Sequence, residues 1–200
     1  YENKLTKALI ARNVDGLFIV PSTLENQQHH LRQVRKPMVL LDRDFKYTDN
    51  ALVESHNSLG GEKLTQSLFD AGRSPIWFLV GDTGLPSIGD RLQGYLNALS
   101  NNGISHHDWV REGPDNTPDG GYRLMEKLIA EQGCPQAFIA SSLPVLEGAI
   151  VAIRNRFGVI PPDINIGTFD EHPMLGFLAN NVWSMQQDEN VWAEKAFDMM

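Results

Sequence analysis

The polar residues that could do chemistry in this chain follow its predicted strands, at the points where the strands end. Ser87 and Arg91 lie four residues apart at the start of a predicted helix, so their side chains share one face of it. The other members of the set are Ser22, Asp42-Arg43, Asn57, Ser142, Asp170 and Gln187. An arginine, carboxylates, amides and hydroxyls can hydrogen-bond neighbouring sugar hydroxyls without a metal ion or a nucleophile. The set therefore favours a ligand-binding site over a catalytic one.

Aromatic side chains matter to such a site because sugar rings stack their C–H faces on them. The candidates are Tyr95, Trp109, Phe169 and Trp183, and each is also a normal residue for core packing. Phe169 directly precedes Asp170, so it is the first choice for a ligand contact.

Structural roles remain open for each of these residues taken singly. Ser87 could cap its helix, and Arg91 could be a solvated surface cation. Asp42 and Asp170 could be capping residues, with Arg43 in a structural ion pair. Only the whole set, gathered at strand ends, favours a ligand site.

Residues typical of enzymes do not form a recognisable pattern. The adjacent pairs His29-His30 and His106-His107 lack the i, i+4 spacing of a metal face, so solvated side chains are expected. His56 and His172 follow strands but have no Ser or Cys nucleophile in a recognisable elbow. The glycine-rich stretch 81–84 lacks the lysine of a phosphate loop, and Cys134 is expected to be inert. We therefore expect no catalytic residue, metal or cofactor.

Composition limits the partners of this chain. It has 200 residues, 42% of them hydrophobic, which is enough for a sizeable core in one large domain or two small ones. The formal charge of −8 offers no electrostatic footprint for nucleic acid, so any contact with DNA must come from another segment. A single cysteine suits a reducing cytoplasm, and no apolar run is long enough to cross a membrane.

Strands and helices alternate along the chain. The predicted strands are 14–21, 38–42, 51–55, one beginning at Ile76, 110–113, 137–141, 164–169 and 182–185. The predicted helices are 2–12, 25–34, one ending at Gly72, one opening near Ser87, one from a Thr117 cap to Gly133, 144–157 and 189–200. This order predicts an α/β protein with doubly wound parallel sheets, whose strand ends form the ligand edge.

The pattern restarts after Arg73-Ser74-Pro75, which is the predicted domain crossing. We assign residues 1–73 to part of an N-terminal lobe, 74–182 to a C-terminal lobe and 183–200 to a return toward the first lobe. The chain opens on a helix with nothing before it and closes on an unfinished apolar pattern, so a fragment of a larger domain is expected.

Several short motifs in this order resemble the effector-binding core of lac-repressor-type transcriptional regulators. They are Val14-Asp15-Gly16-Leu17, Pro37 with Leu41-Asp42-Arg43, Asn57 with Gly60-Gly61 and Gly72, Ser87-Ile88 with Arg91-Leu92 and Gly94-Tyr95, Gly148-Ala149 with Ala152-Ile153, and Ile160-Pro161 with Asp163-Ile164 and Phe169-Asp170. Residues 169–178 and 184–187 look most like the sucrose and fructose regulators. The resemblance implies a type I periplasmic-binding-protein-like fold of two lobes.

The resemblance also implies roles for single residues. Arg91 matches the arginine that holds the effector, and Asp170 matches the carboxylate opposite it. Ser87 matches a nearby hydroxyl, while Gln187 and Asn57 match polar positions of the binding cleft. Many relatives carry Asn-Asp where this chain has Ser141-Ser142, which puts the contact from Ser142 in doubt and implies a different sugar preference.

By resemblance, a sugar or sugar phosphate binds between the lobes and allosterically controls operator DNA binding by a homodimer. The family's N-terminal helix-turn-helix, its first strand-helix-strand and its C-terminal segment are absent from these 200 residues. The alternatives are a sugar-binding receptor of an uptake system, which shares the fold, and an α/β sugar-processing enzyme.

Overall fold

A computed structural model describes residues 1–105 and 108–200; His106 and His107, with the expectation made for them, lie outside the described residues. The strands are β1 Leu17–Ile19, β2 Met38–Leu41, β3 Ala51–Val53, β4 Trp77–Val80, β5 Val110–Glu112, β6 Ala137–Ala140, β7 Asn165–Phe169 and β8 Val182–Met185. The α-helices are α1 Glu2–Ala11, α2 Leu24–His29, α3 Asn57–Asp70, α4 Pro86–Asn101, α5 Pro118–Gln132, α6 Leu143–Phe157 and α7 Glu189–Met199. Short 3₁₀ helices cover Leu31–Gln33 and Pro173–Phe177.

The first of two compact units contains residues 1–55, 85–87 and 188–200. Its sheet has the order β1-β2-β3, and both pairings are parallel, with Leu17 opposite Met38 and Val39 opposite Ala51. Leu40 of β2 is buried on one face with Leu17, while Val39 packs on the other face. Burial on both faces explains the continuous apolar run of β2.

The second unit contains residues 56–84 and 88–187. Its sheet has the order β5-β4-β6-β7-β8, and every neighbouring pair is parallel. Helices α5 and α6 pack on each other, and α3 contacts β7 and β8. The strands β4 and β6 are buried at every position, as expected of central strands covered by helices on both sides.

Local signals set the ends of several helices. Thr117 accepts a hydrogen bond from the Gly120 backbone N–H at 3.1 Å, with proline next in the chain, so α5 begins there. Gly158 ends α6 at a φ of 80°, in the left-handed region that favours glycine.

The predicted α/β fold with two parallel sheets is confirmed. Two local predictions differ from the structure. The expected strand over 14–21 is shorter, and the expected helix over 25–34 divides into α2 and a 3₁₀ turn at His30. The packing groups α3 with the second unit, because α3 packs on β7 and β8. The lobe boundary near residue 73 stays a prediction.

Among the described residues, no helix has both the length and the apolar character that crossing a membrane requires.

Candidate functional site

The candidate site lies at the carboxyl edge of the five-stranded sheet in the second unit. Strands β6, β7 and β8 end at Ala140, Phe169 and Met185, and polar residues follow each of them. Because the strands are parallel, these ends share one edge of the sheet, which is where open α/β sheets bind ligands.

Arg91 is the central residue of this edge. It projects from α4 and is only 4% exposed. Its Nε donates to Asn57 Oδ1 at 3.0 Å, and its Nη1 donates to the Ser141 carbonyl oxygen at 2.8 Å. Its Cζ lies 4.4 Å from the centroid of the Phe169 ring, which is a cation–π contact. A buried charge fixed in this way is stabilised by hydrogen bonds and by an aromatic face.

Glycines in α3 and α4 allow the approach that positions Arg91. A Cβ atom added at Gly61 would lie 2.3 Å from the Arg91 carbonyl oxygen. One added at Gly94 would lie 1.9 Å from the Ser58 carbonyl oxygen. No larger residue fits at either place, so the two helices lie close enough for Asn57 to meet Arg91.

Asp170 and Gln187 form a second pair at the same edge. The Asp170 backbone N–H donates to the Met185 carbonyl oxygen at 3.0 Å, which extends the pairing of β7 with β8 by one residue. Asp170 then takes a φ of 68°, a left-handed conformation that aspartate tolerates better than most residues. Gln187 Nε2 donates to Asp170 Oδ1. The carboxylate is therefore held directly after the ring that stacks on Arg91.

The serines after β6 carry hydroxyl groups with unmet hydrogen-bonding capacity. Ser141 is fully buried, and Ser142 precedes α6 as its N-cap residue without a capping hydrogen bond. The Oγ atoms of both serines are buried and have no hydrogen-bond partner among residues 1–105 and 108–200. Buried polar atoms are nearly always paired, so these two hydroxyls are exceptions at this edge.

Six of the seven predicted ligand-binding residues belong to the second unit; they are Asn57, Arg91, Ser142, Phe169, Asp170 and Gln187. Direct contacts join Arg91 to Asn57 and Phe169, and Gln187 to Asp170. The alternative in which Arg91 is a solvated cation is wrong, because the side chain is buried.

Ser87, the seventh, lies in the first turn of α4, is buried and groups with the first unit. It lies inside the helix and not at the N-cap position, because α4 begins at Pro86. Its contact with a ligand remains a prediction.

Asp42 and Arg43 make an ion pair with each other in the first unit, as the structural alternative proposed. Ser22, in the same unit, accepts from Asn26 Nδ2 at 2.7 Å. Neither observation bears on a ligand.

The other aromatic candidates have packing roles. Tyr95 is fully buried, and its hydroxyl donates to the Ile76 carbonyl oxygen at 2.8 Å. Burial raises the pKa of this phenol well above its ordinary value. Trp109 packs at the margin of the core of the second unit, and Trp183 of β8 is half-buried.

One histidine prediction is wrong. His30 was expected to be solvated, but it is 8% exposed, because it lies where α2 passes into the buried 3₁₀ turn at Leu31. His29 is exposed. His172 Nδ1 accepts from the Met174 backbone N–H at 3.2 Å and so caps a 3₁₀ helix.

Burial raises the pKa of the Cys134 thiol, and Asp163 adds to that effect. No cluster of metal-ligating side chains occurs within the described ranges.

Two residues at this edge had no place in the predicted ligand set. Ser141 is adjacent to the predicted Ser142, and its carbonyl oxygen accepts from Arg91. Asn116 follows β5, donates to the Asp82 carbonyl oxygen at 3.2 Å and has a buried Oδ1 that is unpaired within the described chain. Position after a strand is the signal that could have found Asn116.

The fold defines an α/β protein with two parallel sheets, and comparison with known proteins narrows the class. Residues 65–200 match the family described as periplasmic binding protein-like domain. The chain belongs to this family.

Among curated proteins, the chain is 26% identical over 201 residues to the sucrose operon repressor of Klebsiella pneumoniae, covering 100% of this chain and 60% of the relative. It is 24% identical to the ribose operon repressor of Escherichia coli K12, covering 99% of this chain and 61% of that protein. The chain thus spans about three fifths of the length of these relatives. They are transcriptional repressors, not enzymes.

Solved structures agree with the fold. The crystal structure of a putative ribose operon repressor from Burkholderia thailandensis matches with a TM-score of 0.82 and 26% identity, covering 99% of this chain and 74% of that one. The Cra transcriptional dual regulator from Pseudomonas putida, in complex with fructose 1-phosphate, matches with a TM-score of 0.81 and 24% identity, covering 98% of this chain and 73% of that one.

Proposed function

We propose that this chain is the effector-binding core of a sugar-responsive transcriptional repressor. The effector is a sugar or sugar phosphate of the sucrose and fructose type, and it binds at the carboxyl edge of the five-stranded sheet. Arg91 and Asp170 hold its polar groups, Phe169 shapes the contact, and Asn57, Gln187, Ser87 and Ser142 complete the polar set.

The observation that carries the proposal is the arrangement around Arg91. A guanidinium is buried at a strand-end edge and stacked on the Phe169 ring, and the next residue in the chain after Phe169 is Asp170, whose carboxylate accepts from Gln187. Donors and acceptors placed side by side match the alternating hydroxyls of a sugar.

The identities of the relatives support a regulatory role. The sucrose and ribose operon repressors are named for sugar operons, and the Pseudomonas putida regulator is described with fructose 1-phosphate. In this proposal a DNA-binding segment outside these 200 residues contacts operator DNA, the protein is a cytoplasmic homodimer, and the effector changes operator affinity. The change can be no larger than the difference in effector affinity between the two conformations.

Calorimetric titration of the intact protein with fructose, fructose 1-phosphate, sucrose, glucose and ribose tests the proposal. At least one should bind, and Arg91→Ala should weaken that binding at least about tenfold, because charged hydrogen bonds contribute about 1.5–3 kcal/mol each. Binding of none of these compounds, or unchanged binding by Arg91→Ala, would contradict the proposal. Operator binding that responds to the sugar separates a repressor from a receptor of an uptake system.

A further inference from the structure

Strand β5 forms one edge of the five-stranded sheet, on the side away from β8. Within the described residues it pairs only with β4, in the order β5-β4-β6-β7-β8. The open side of an edge strand presents backbone groups that can pair with another chain, so proteins protect such edges. We propose that the side chain of Arg111 closes this edge and prevents β5 from pairing with β5 of a second copy of the chain.

The pairing of β5 with β4 identifies the backbone groups on the open side. Phe78 of β4 lies opposite Val110, and the Phe78 backbone N–H donates to the Trp109 carbonyl oxygen at 2.8 Å. Successive carbonyl groups of a strand point to opposite sides, so the Val110 carbonyl points away from β4. The carbonyl of Glu112, two residues further on, points the same way. These are the acceptors that β5 offers to an added strand.

The guanidinium of Arg111 already occupies this open side. Its Nη1 donates to the Val110 carbonyl oxygen at 3.0 Å and to the Asp108 carbonyl oxygen at 2.7 Å. The backbone N–H of an added strand would compete with this charge-assisted hydrogen bond for the same acceptor. Because β5 has only three residues, the Val110 carbonyl is a large part of what the edge offers.

Two contacts hold the guanidinium in this position. Its Cζ lies 4.6 Å from the centroid of the Trp77 ring, which is a cation–π contact. Its Nη2 donates to Glu131 Oε2 of α5 at 2.8 Å. The Arg111 side chain is 14% exposed, so packing fixes it against the edge before any second strand approaches.

Sedimentation velocity of the intact protein tests the proposal with Arg111→Met. Methionine keeps an apolar stem against Trp77 and removes every N–H donor, while Glu131 is exposed enough to be solvated. The variant should form assemblies of at least about twice the wild-type mass as its concentration rises, because two copies can pair along β5. An Arg111→Met protein with the wild-type mass at every concentration would overturn the proposal.

Arg123→Met is the matched control. Arg123 makes an ion pair of the same length, 2.8 Å, with Asp115, but its side chain is 58% exposed. It should keep the wild-type mass, and assemblies like those of Arg111→Met would show that loss of any surface arginine is enough, which would also overturn the proposal.

Amide hydrogen exchange separates strand pairing from aggregation of unfolded chains. In the Arg111→Met assemblies, the backbone N–H groups of Val110 and Glu112 should exchange more slowly than in the wild type, because they gain partners across the new pairing. The N–H groups of β4 should stay protected. Assemblies without slower exchange at residues 110 and 112 would contradict pairing along β5 and overturn the proposal.

Discussion

Each unit of this molecule ends a buried parallel strand with an aspartate in the left-handed conformation, and the two aspartates have very different partners. Asp42 follows β2 with a φ of 66°, and Asp170 follows β7 with a φ of 68°. The backbone N–H of each continues the pairing with the next strand, Asp42 to the Val53 carbonyl oxygen at 2.9 Å and Asp170 to that of Met185.

The side chains of Asp42 and Asp170 have different surroundings, because the nearby cations come from different parts of the chain. Asp42 pairs with Arg43, the next residue in the chain, so its charge is neutralised locally. After Asp170 comes the exposed Glu171, and Arg91 contacts the neighbouring Phe169 ring from helix α4. An ion pair between neighbours in the chain leaves little charge for a ligand. Charged groups from distant elements can be held at one edge of a sheet without neutralising each other.

The largest expected difference between the two regions is in the effect of removing the arginine. Arg91→Ala should lower the free energy of unfolding by about 2–4 kcal/mol, because Asn57 Oδ1 and the Ser141 carbonyl oxygen lose a charged donor while remaining buried. Arg43→Ala removes a partly exposed pair and should cost less than about 1 kcal/mol. Urea denaturation of both variants measures this, and equal losses would contradict the distinction.

A smaller loss of stability is expected from disturbing the close packing of α3 on α4 in the second unit. Gly94→Ala should lower the free energy of unfolding by about 1–3 kcal/mol, because the new Cβ would overlap the Ser58 carbonyl oxygen. It should also weaken sugar binding, since the shift moves Arg91. Gly176→Ala is the control, because no heavy atom lies within 4 Å of its added Cβ, and it should change stability by less than about 0.5 kcal/mol. A Gly94→Ala protein as stable as the wild type would show that the close approach is not needed.

The smallest effect concerns His30, a buried basic side chain of the first unit. Burial lowers the pKa of His30 below its ordinary value of 6.5; Glu2 Oε1, at 3.2 Å from Nε2, opposes this shift and Lys7 adds to it. The unfolded chain therefore takes up this proton at a higher pH than the folded protein does. The free energy of unfolding should fall as pH falls through about 6.5, by less than about 1 kcal/mol from this residue.

Urea denaturation of the wild type and of His30→Gln, at intervals from about pH 8 to pH 5.5, measures that contribution. The variant should lose this part of the pH dependence. Greater stability of the wild type than of the variant at the acid end would mean that attraction to Glu2 outweighs burial.

Much of the fold could be predicted from the sequence, because its signals are local. The apolar run before Ser141 marks a strand buried on both faces, and Thr117 with Pro118 marks a helix start. The element on which each helix packs is not a local property of the sequence. The surface that α3 covers depends on β7 and β8, which lie about a hundred residues further along the chain.

The candidate site was predictable as a set of residue types and not as a set of contacts. Position after a strand selected Asn57, Phe169, Asp170 and Gln187, and the spacing on α4 selected Arg91. Nothing local indicated that Arg91 would be buried or that His30 would be. Burial of a polar side chain depends on which other element covers it, and a one-dimensional pattern does not specify that.

The sequence by itself therefore determined the alternation of strands and helices, the parallel sheets and the polar residues at the strand ends, since periodicity, caps and glycines act over a few residues. The tertiary structure alone decided that Arg91 would bond to Asn57 and the Ser141 carbonyl oxygen and stack on Phe169, while Asp42 would be neutralised by its own neighbour. The physical reason is that the strength and availability of a charge depend on burial and on hydrogen-bond partners, and both are set by residues far away in the chain.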